Sequence, residues 1–527
     1  MNFKNLMTLW LAAIFFVLLL GCGGSGSDEG GDGSVPPTWA ANVFEDESEF
    51  KNLCQVPRTG TDPATNRAYA DRPGTTLHEN HWLRSWSNNT YLWYDEIEDV
   101  NPAGFSDTLD YFAILKTNEL SPSGQPKDKF HFTRDSAEWQ QIVQAGVSAG
   151  YGAEFAIIRG APPRQIVIAF TEPNTPATQA GMMRGAELVE IDGVDVVNAG
   201  DQASVDILNA ALFPSDVGES HEFVFRPVGE TVTQTATLVS AEITASPVQY
   251  TQTIDTNTGK VGYMMFSTHI ATAESQLIDA VTELANENIS DLVLDLRYNG
   301  GGLLAIASQL AFMIAGDQPT SGKNFDNLVF NDQHPTVNPV TGNSLSPTPF
   351  YTTSLGFSVD SGQSLPTLDL QRVFILSTDG TCSASEAIIN GLRGIDIEVI
   401  LIGSTTCGKP YGFYPTDNCG TTYFTVQFSG ENDKGFGDFS DGFSPANTAD
   451  TVGVVVPGCS VADDYDFALG DPNEAQFKAA LDYRETGTCP TPSAKGVKQV
   501  SNKSNSNLEV RDNRVETLLM NNRILLR

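Results

Sequence analysis

Basic residues are scarce in this chain of 527 residues: 30 Lys and Arg stand against 65 Asp and Glu, a formal charge of −35. A field of that sign repels phosphate backbones and anionic head groups, which excludes nucleic acid and charge-held membrane contact. It also suits a soluble exported protein. Histidine is rarer still, with six in the whole chain, and no two cysteines show the C-x2-4-C spacing of a zinc site. No metal or cofactor is therefore expected. The glycine signatures of nucleotide sites are missing too, because "YNGGG" (Tyr298 to Gly302) fits neither G-x-G-x-x-G nor G-x-x-x-x-G-K-[ST]. The longest apolar run, "MTLWLAAIFFVLLL" from Met7 to Leu20, is short of the roughly 20 residues a membrane helix needs.

What is present begins with that run. Preceded by Lys4, it reads as the apolar segment of an export signal. It ends in Leu19-Leu20-Gly21-Cys22, which resembles the bacterial lipobox, whose processing leaves the cysteine N-terminal and lipidated. The alternative is an ordinary signal with an incidental cysteine. We expect residues 1–22 to be a lipoprotein signal and 23–39, rich in Gly, Ser and Asp, to be a flexible tether. The expected location is the bacterial cell envelope, lipid-anchored and facing the periplasm or exterior. Six cysteines remain, Cys54, Cys382, Cys407, Cys419, Cys459 and Cys489, and an even count in an exported chain implies up to three disulfides with fifteen possible pairings.

The expected fold class is α/β and multidomain. Residues 40–136 read as an N-terminal helical domain, with Trp82, Trp86, Tyr91, Trp93 and Tyr94 as core. Residues 137–243 alternate in strand fashion around turns such as Asp192-Gly193, which makes a compact β-rich unit. That unit resembles a PDZ domain. The resemblance implies a carboxylate-binding loop at Gly150, Tyr151, Gly152, Ala153 and Phe155, where a peptide's C-terminus docks and the peptide adds a strand. A spacer or lid is the alternative use. Residues 244–490 alternate strands and helices, with "DLVLDLR" and "RVFILST" apolar enough for a sheet covered on both faces. Within them, about 330–365 reads as a polar surface insertion, and 491–527 as a polar tail.

Two turns in the 244–490 region end a strand and open a helix, the place where ligands bind in open α/β sheets. One is "YNGGGLL"; the other is "TCSASEAI", with Ser383 at the mouth of its helix. Such turns gather backbone N–H donors for an anion or an oxyanion. Ser383 is by itself either a helix cap or a nucleophile, and no histidine lies in either turn to serve as its base. His269 and His334 are the nearest. The next strand-end turn, "GSTTCGKP", supplies Lys409 instead.

"VLDLRYNGGGLL", "TCSASEAI" and "GSTTCGKP", in that order behind a PDZ-like unit, resemble the carboxyl-terminal-processing (tail-specific) serine peptidases. The resemblance spans about 140–460. It implies Ser383 as nucleophile, Lys409 as general base, the N–H groups of Ala384 and Gly301 as oxyanion donors, and protein or peptide substrates engaged through their C-termini. A free lysine has a pKa near 10.4, so about one in 2,500 is neutral at pH 7. A base near 7 to 8 needs a shift of about 4 kcal/mol, and "STTCGKPYGFYP" helps by carrying no acid. Relatives often place a glutamine four residues after the lysine, where this chain has Phe413; Gln427 is the candidate substitute. Cys382 is a second candidate nucleophile unless it pairs with Cys407, and Glu386 is either a catalytic acid or a capping partner. The competing reading is a non-catalytic peptide- or ligand-binding lipoprotein on the same fold.

Overall fold

A computed structural model of the protein describes residues 36–490, apart from 63, 64, 450 and 452. The export segment with Cys22 and the tail 491–527 lie outside the described residues. In the N-terminal region the stretch "HWLRSWSNN" forms helix α1 (Thr76–Thr90). Its Trp82 and Trp86, four residues apart and so on one face, stack at 5.1 Å and join Tyr111, Phe112 and Tyr423 in a buried aromatic cluster. Tyr423 belongs to a distant strand, Thr421–Phe424, which pairs antiparallel with Phe132–Asp135. A Cys54–Cys419 disulfide fastens the same two parts. The segment expected as a helical domain thus holds one long helix and the short Thr108–Ile114, and it shares its core with the C-terminal half. The described residues from Pro37 onward form a single compact unit.

The β-rich module comes next: β1 (Ala153–Arg159), β2 (Gln165–Thr171), β3 (Glu187–Ile191), helix α2 (Gln202–Leu212), β4 (Ser220–Arg226) and β5 (Gln234–Val239). Sheet order is β5-β4-β3-β2-β1, antiparallel, so β1 is an edge. Alternation explains the layering: Phe223 and Phe225 of β4 turn into a core with Ile166, Ile168, Leu188 and Leu208, while Glu222 stays exposed.

The second large sheet runs β6 (Val248–Thr256), β7 (Gly259–Phe266), β8 (Asp291–Asp295), β9 (Arg372–Ser377), β10 (Glu398–Gly403) and β11 (Gly458–Ser460), in that spatial order. Only the β6–β7 pair is antiparallel. The apolar strands are covered on both faces, as their composition implies. Leu292 and Leu294 of β8 pack under helices α3 (Ala273–Asn286), α4 (Leu304–Ala315) and α5 (Ala384–Gly394), while Val293 between them packs with Phe477 of α6 (Ala475–Thr486) on the other side. The insertion after α4 is pinned rather than loose. The buried Glu274 carboxylate on α3 accepts from the N–H groups of Leu355, Phe357 and Ser358 and from the Gln309 amide.

Candidate active site

Parallel register brings the carboxyl ends of four strands to one edge: Met265 lies beside Asp295, Asp295 beside Leu376, and Ser377 beside Gly403. Each strand feeds a loop into the same place.

β8 continues into Arg297-Tyr298-Asn299-Gly300-Gly301-Gly302. Arg297 is fully buried and paired with Asp295 (2.6 Å), Asp463 (2.7 Å) and Glu474 (2.9 Å). A buried guanidinium needs this many partners to offset its lost hydration. The Tyr298 hydroxyl bonds Asp463 and accepts from Arg184 of the β-rich module (2.6 Å), so the loop is anchored from two sides. Asn299 organises the glycine turn. Its Nδ2 donates to the Phe266 carbonyl (3.0 Å), and its Oδ1 accepts from the Gly301 N–H (2.9 Å) and from His269 Nδ1 (2.9 Å). Its carbonyl accepts from the Cys382 N–H (3.2 Å) and the Ser385 hydroxyl (3.0 Å). Burial drives the His269 imidazole down to about 3, so it is neutral, and its Nε2 has no hydrogen-bond partner among the described residues.

β9 leads to Ser383, the residue capping α5. Its backbone is in an unusual region, φ 57° and ψ −100°. A non-glycine residue there costs on the order of 1–3 kcal/mol and persists only where its surroundings impose it. The side chain is fully buried, and its Oγ makes no hydrogen bond among the described residues. Ser383 and Glu386 are arranged as a capping box in which the Glu386 carboxylate holds the Ser383 N–H (2.8 Å) while the Ser383 hydroxyl faces the Glu386 N–H without a full hydrogen bond. Ala384 opens the helix, where an N–H has no intrahelical acceptor.

β10 leads to Lys409, also fully buried, with Nζ 4.5 Å from the Phe130 ring centre and 4.6 Å from that of Phe413. Glu386 joins the two sides. Its carboxylate accepts from the N–H of Ser383 (2.8 Å), of Gly408 (2.9 Å) and of Lys409 (2.8 Å), and from the Thr406 hydroxyl (2.5 Å). Burial raises its pKa, opposed by the Thr406 hydroxyl and then by those N–H groups. Every oxygen contact is spent on structure, so Glu386 is a clamp. The Cys382–Cys407 disulfide crosses beside it.

Ser383, Ala384 and Lys409 thus meet at one edge, and Gly301 is tied to the same cluster through Asn299. The N–H of Gly301 is engaged by the Asn299 side chain, which is the arrangement an oxyanion donor would have to leave. Phe413 fills the position four residues after the lysine with a buried ring that meets Phe132 and Phe424 edge-on. Gln427 is buried, its Oε1 accepting from the Tyr414 N–H (2.7 Å) and its Nε2 unpartnered among the described residues. The module loop is elsewhere. Gly150 pairs with Ala241. The side chains of Tyr151, Ala153 and Phe155 belong to the module core, and the Tyr151 hydroxyl donates to the Ala211 carbonyl of α2 (3.0 Å). Gly152 has φ 75°, and a Cβ there would lie 2.4 Å from Thr175. Sequence reasoning missed Asn299 and the reach of Glu386; the only sequence signal for the former is an amide immediately before three glycines.

Residues 260–414 match the peptidase family S41. A carboxyl-terminal-processing protease of Picosynechococcus sp. is 23% identical over 269 residues, 51% of this chain and 56% of the relative. The chloroplastic carboxyl-terminal-processing peptidase 2 of Arabidopsis thaliana is 28% identical over 318 residues, 57% of this chain and 52% of the relative. The chain spans about half the length of the curated relatives it matches. Among solved structures, a protein of Bacteroides fragilis described as an S41 protease superposes with a TM-score of 0.58 at 21% identity, covering 77% of this chain and 97% of that one, which shows a shared fold.

Proposed function

The chain carries a peptidase family S41 segment and is a relative of the carboxyl-terminal-processing peptidases; on that premise we propose that it is a serine endopeptidase working through a Ser383–Lys409 dyad. The observation that carries this reading is the shared carboxylate. Glu386 holds the backbone N–H of the nucleophile and that of the base at once, at 2.8 Å each. Ser383 Oγ attacks the scissile carbonyl, neutral Lys409 Nζ takes its proton and returns it to the leaving amine, and water then clears the acyl-enzyme. Lys409 is fully buried, and burial disfavours the charged form of an amine. Ala384 and Gly301 supply the oxyanion N–H groups once the Gly301 donor turns from Asn299 to substrate; catalytic hydrogen bonds commonly tighten only with substrate bound. A cleft lined by Leu120, Pro122, Lys129, Phe130, Gly408 and Tyr411 lies next to the turn that carries Lys409.

Two further parts complete the reading. The edge strand β1 accepts the C-terminal segment of a substrate by strand addition, with the loop at Gly150–Phe155 receiving the carboxylate through its backbone N–H groups. Export with a lipidated Cys22 places the enzyme in the cell envelope, and three formed disulfides fit an oxidising compartment; fractionation of Cys22→Ala, which should leave the membrane, checks that step. For the dyad, Ser383→Ala and Lys409→Ala should each abolish hydrolysis of an unfolded protein substrate while the melting temperature stays within a few degrees. Turnover retained in either variant returns the chain to the binding-protein reading.

A further inference from the structure

The two residues of the dyad sit on separate loops, and each has a cysteine almost beside it. Cys382 directly precedes Ser383 and Cys407 lies two residues before Lys409, and the two are joined in a disulfide with Cα atoms 5.2 Å apart. Cys382 is fully buried and Cys407 half-buried. Among the described residues the link is the one disulfide between the nucleophile turn and the base turn. Around it run non-covalent ties: the Cys407 N–H donates to the Thr381 carbonyl (3.1 Å), the Cys382 N–H to the Asn299 carbonyl (3.2 Å), and Glu386 bridges Ser383 to Gly408 and Lys409.

We propose that Cys382 and Cys407 are positioning residues for the proteolytic reaction, their disulfide fixing the distance between Ser383 Oγ and Lys409 Nζ. This rests on the dyad reading above. Ser383 is held at φ 57°, a conformation the local chain does not favour, and that strain relaxes if the turn is freed from its neighbour. Lys409 carries a long side chain whose reach depends on where its backbone is pinned. Misplacement of a reacting group by about 1 Å costs on the order of 100-fold in rate. The other two disulfides make an internal control. Cys54–Cys419 ties the N-terminal region to the turn before Thr421, and Cys459–Cys489 ties β11 to the end of the described chain; neither includes a neighbour of the dyad.

The test compares two paired variants of the full-length enzyme, Cys382→Ala with Cys407→Ala, and Cys54→Ala with Cys419→Ala. At a temperature where circular dichroism shows both folded, the first pair should lose about 30- to 100-fold in kcat with KM within twofold of the parent. The acid limb of its pH–rate profile, which reports the base, should also move by at least half a pH unit. The second pair should lower the melting temperature and leave kcat and the acid limb unchanged. An unchanged kcat and acid limb in the first pair overturns the inference and leaves the link a stabilising staple. Should the first pair not fold, the parent is reduced instead with dithiothreitol. The dithiol closes into its own cyclic disulfide and passes two electrons and two protons to the cysteines as thiols, and kcat should fall and then recover when oxidised glutathione re-forms the link. A background with Cys54, Cys419, Cys459 and Cys489 all changed to Ala, which keeps only the Cys382–Cys407 link, should show the same fall, and activity indifferent to reduction overturns the inference. A parent without Ser383-dependent hydrolysis overturns the dyad reading itself, an outcome distinct from an active parent indifferent to the link.

Discussion

The edge of the core sheet and the β-rich module are built in opposite ways. At the sheet edge in the core, Ser383 and Lys409 are fully buried, Gly301 is engaged by Asn299, and a disulfide and a carboxylate lock the loops. In the β-rich module, strand β1 is the edge of its sheet, next to β2. One region is closed by these ties, while the other ends in an edge strand, the kind of element to which a further strand can add. Under the proposed function the difference implies an order of events: a chain would dock on β1 first, and reaching Ser383 would then require the core loops to admit it. Tyr298 lies between the two, held by Arg184 of the module on one side and Asp463 on the other.

The closed side breaks hardest at Glu386. Glu386→Ala leaves three buried N–H groups and the Thr406 hydroxyl without their acceptor. Unsatisfied buried donors cost about 1–3 kcal/mol each, so with partial relaxation the loss should be about 3–5 kcal/mol. Urea unfolding should show it, and hydrolysis should fall at least as far as in the disulfide variant. Glu386→Gln, which keeps an acceptor oxygen, should recover part of both. A near-parental midpoint for the alanine variant would mean that the carboxylate is not the clamp.

Acid should attack the same side. His269 is held near 3 in the folded chain against an ordinary histidine value of 6.5. Below pH 6.5 the unfolded chain binds a proton that the folded chain refuses. The stability is therefore complete above that pH and is lost as pH falls toward 3, with about 2 kcal/mol gone by pH 5. His81 and His131, both pushed down to about 4 by burial, act in the same direction. Melting curves from about pH 7 to about pH 5 should show a steep decline that is shallower in His269→Asn. Equal slopes for the two proteins would remove His269 as a cause.

The open side predicts the smallest effect. Amidating the C-terminus of a peptide substrate should raise its KM about tenfold, the ~1.4 kcal/mol of one docked carboxylate. Substitution of Gly152 is a poor probe of the same contact, because its missing Cβ is also what lets Thr175 approach. Equal cleavage of free and amidated peptides would make the module a spacer.

Much of this is legible in the sequence because it is local. Apolar strands followed by small-residue turns place Ser383 and Lys409 at the carboxyl edge, and the spacing of Trp82 and Trp86 marks a helix face. Hidden from it is whatever tertiary contact decides. Glu386 reads as an ordinary helix-start acid; its partners Thr406, Gly408 and Lys409 are 20 to 23 residues away and come close only through parallel register. The N-terminal region looks separable because nothing local announces that Phe132–Asp135 pairs with Thr421–Phe424. Of fifteen cysteine pairings, the positions of Cys382 and Cys407 beside the candidate dyad favour one, and it is the pair that forms; the other two have no local signal.

The dyad is tested most directly by trapping its nucleophile. The parent enzyme and Lys409→Arg are incubated with a fluorophosphonate, and adduct formation is followed by intact mass with peptide mapping. One adduct on Ser383 is predicted for the parent, with a rate that rises with pH as the lysine loses its proton. It should form at least about 100-fold more slowly in Lys409→Arg, because a guanidinium does not deprotonate. An adduct on another residue, or equal rates in the two proteins, would contradict the account.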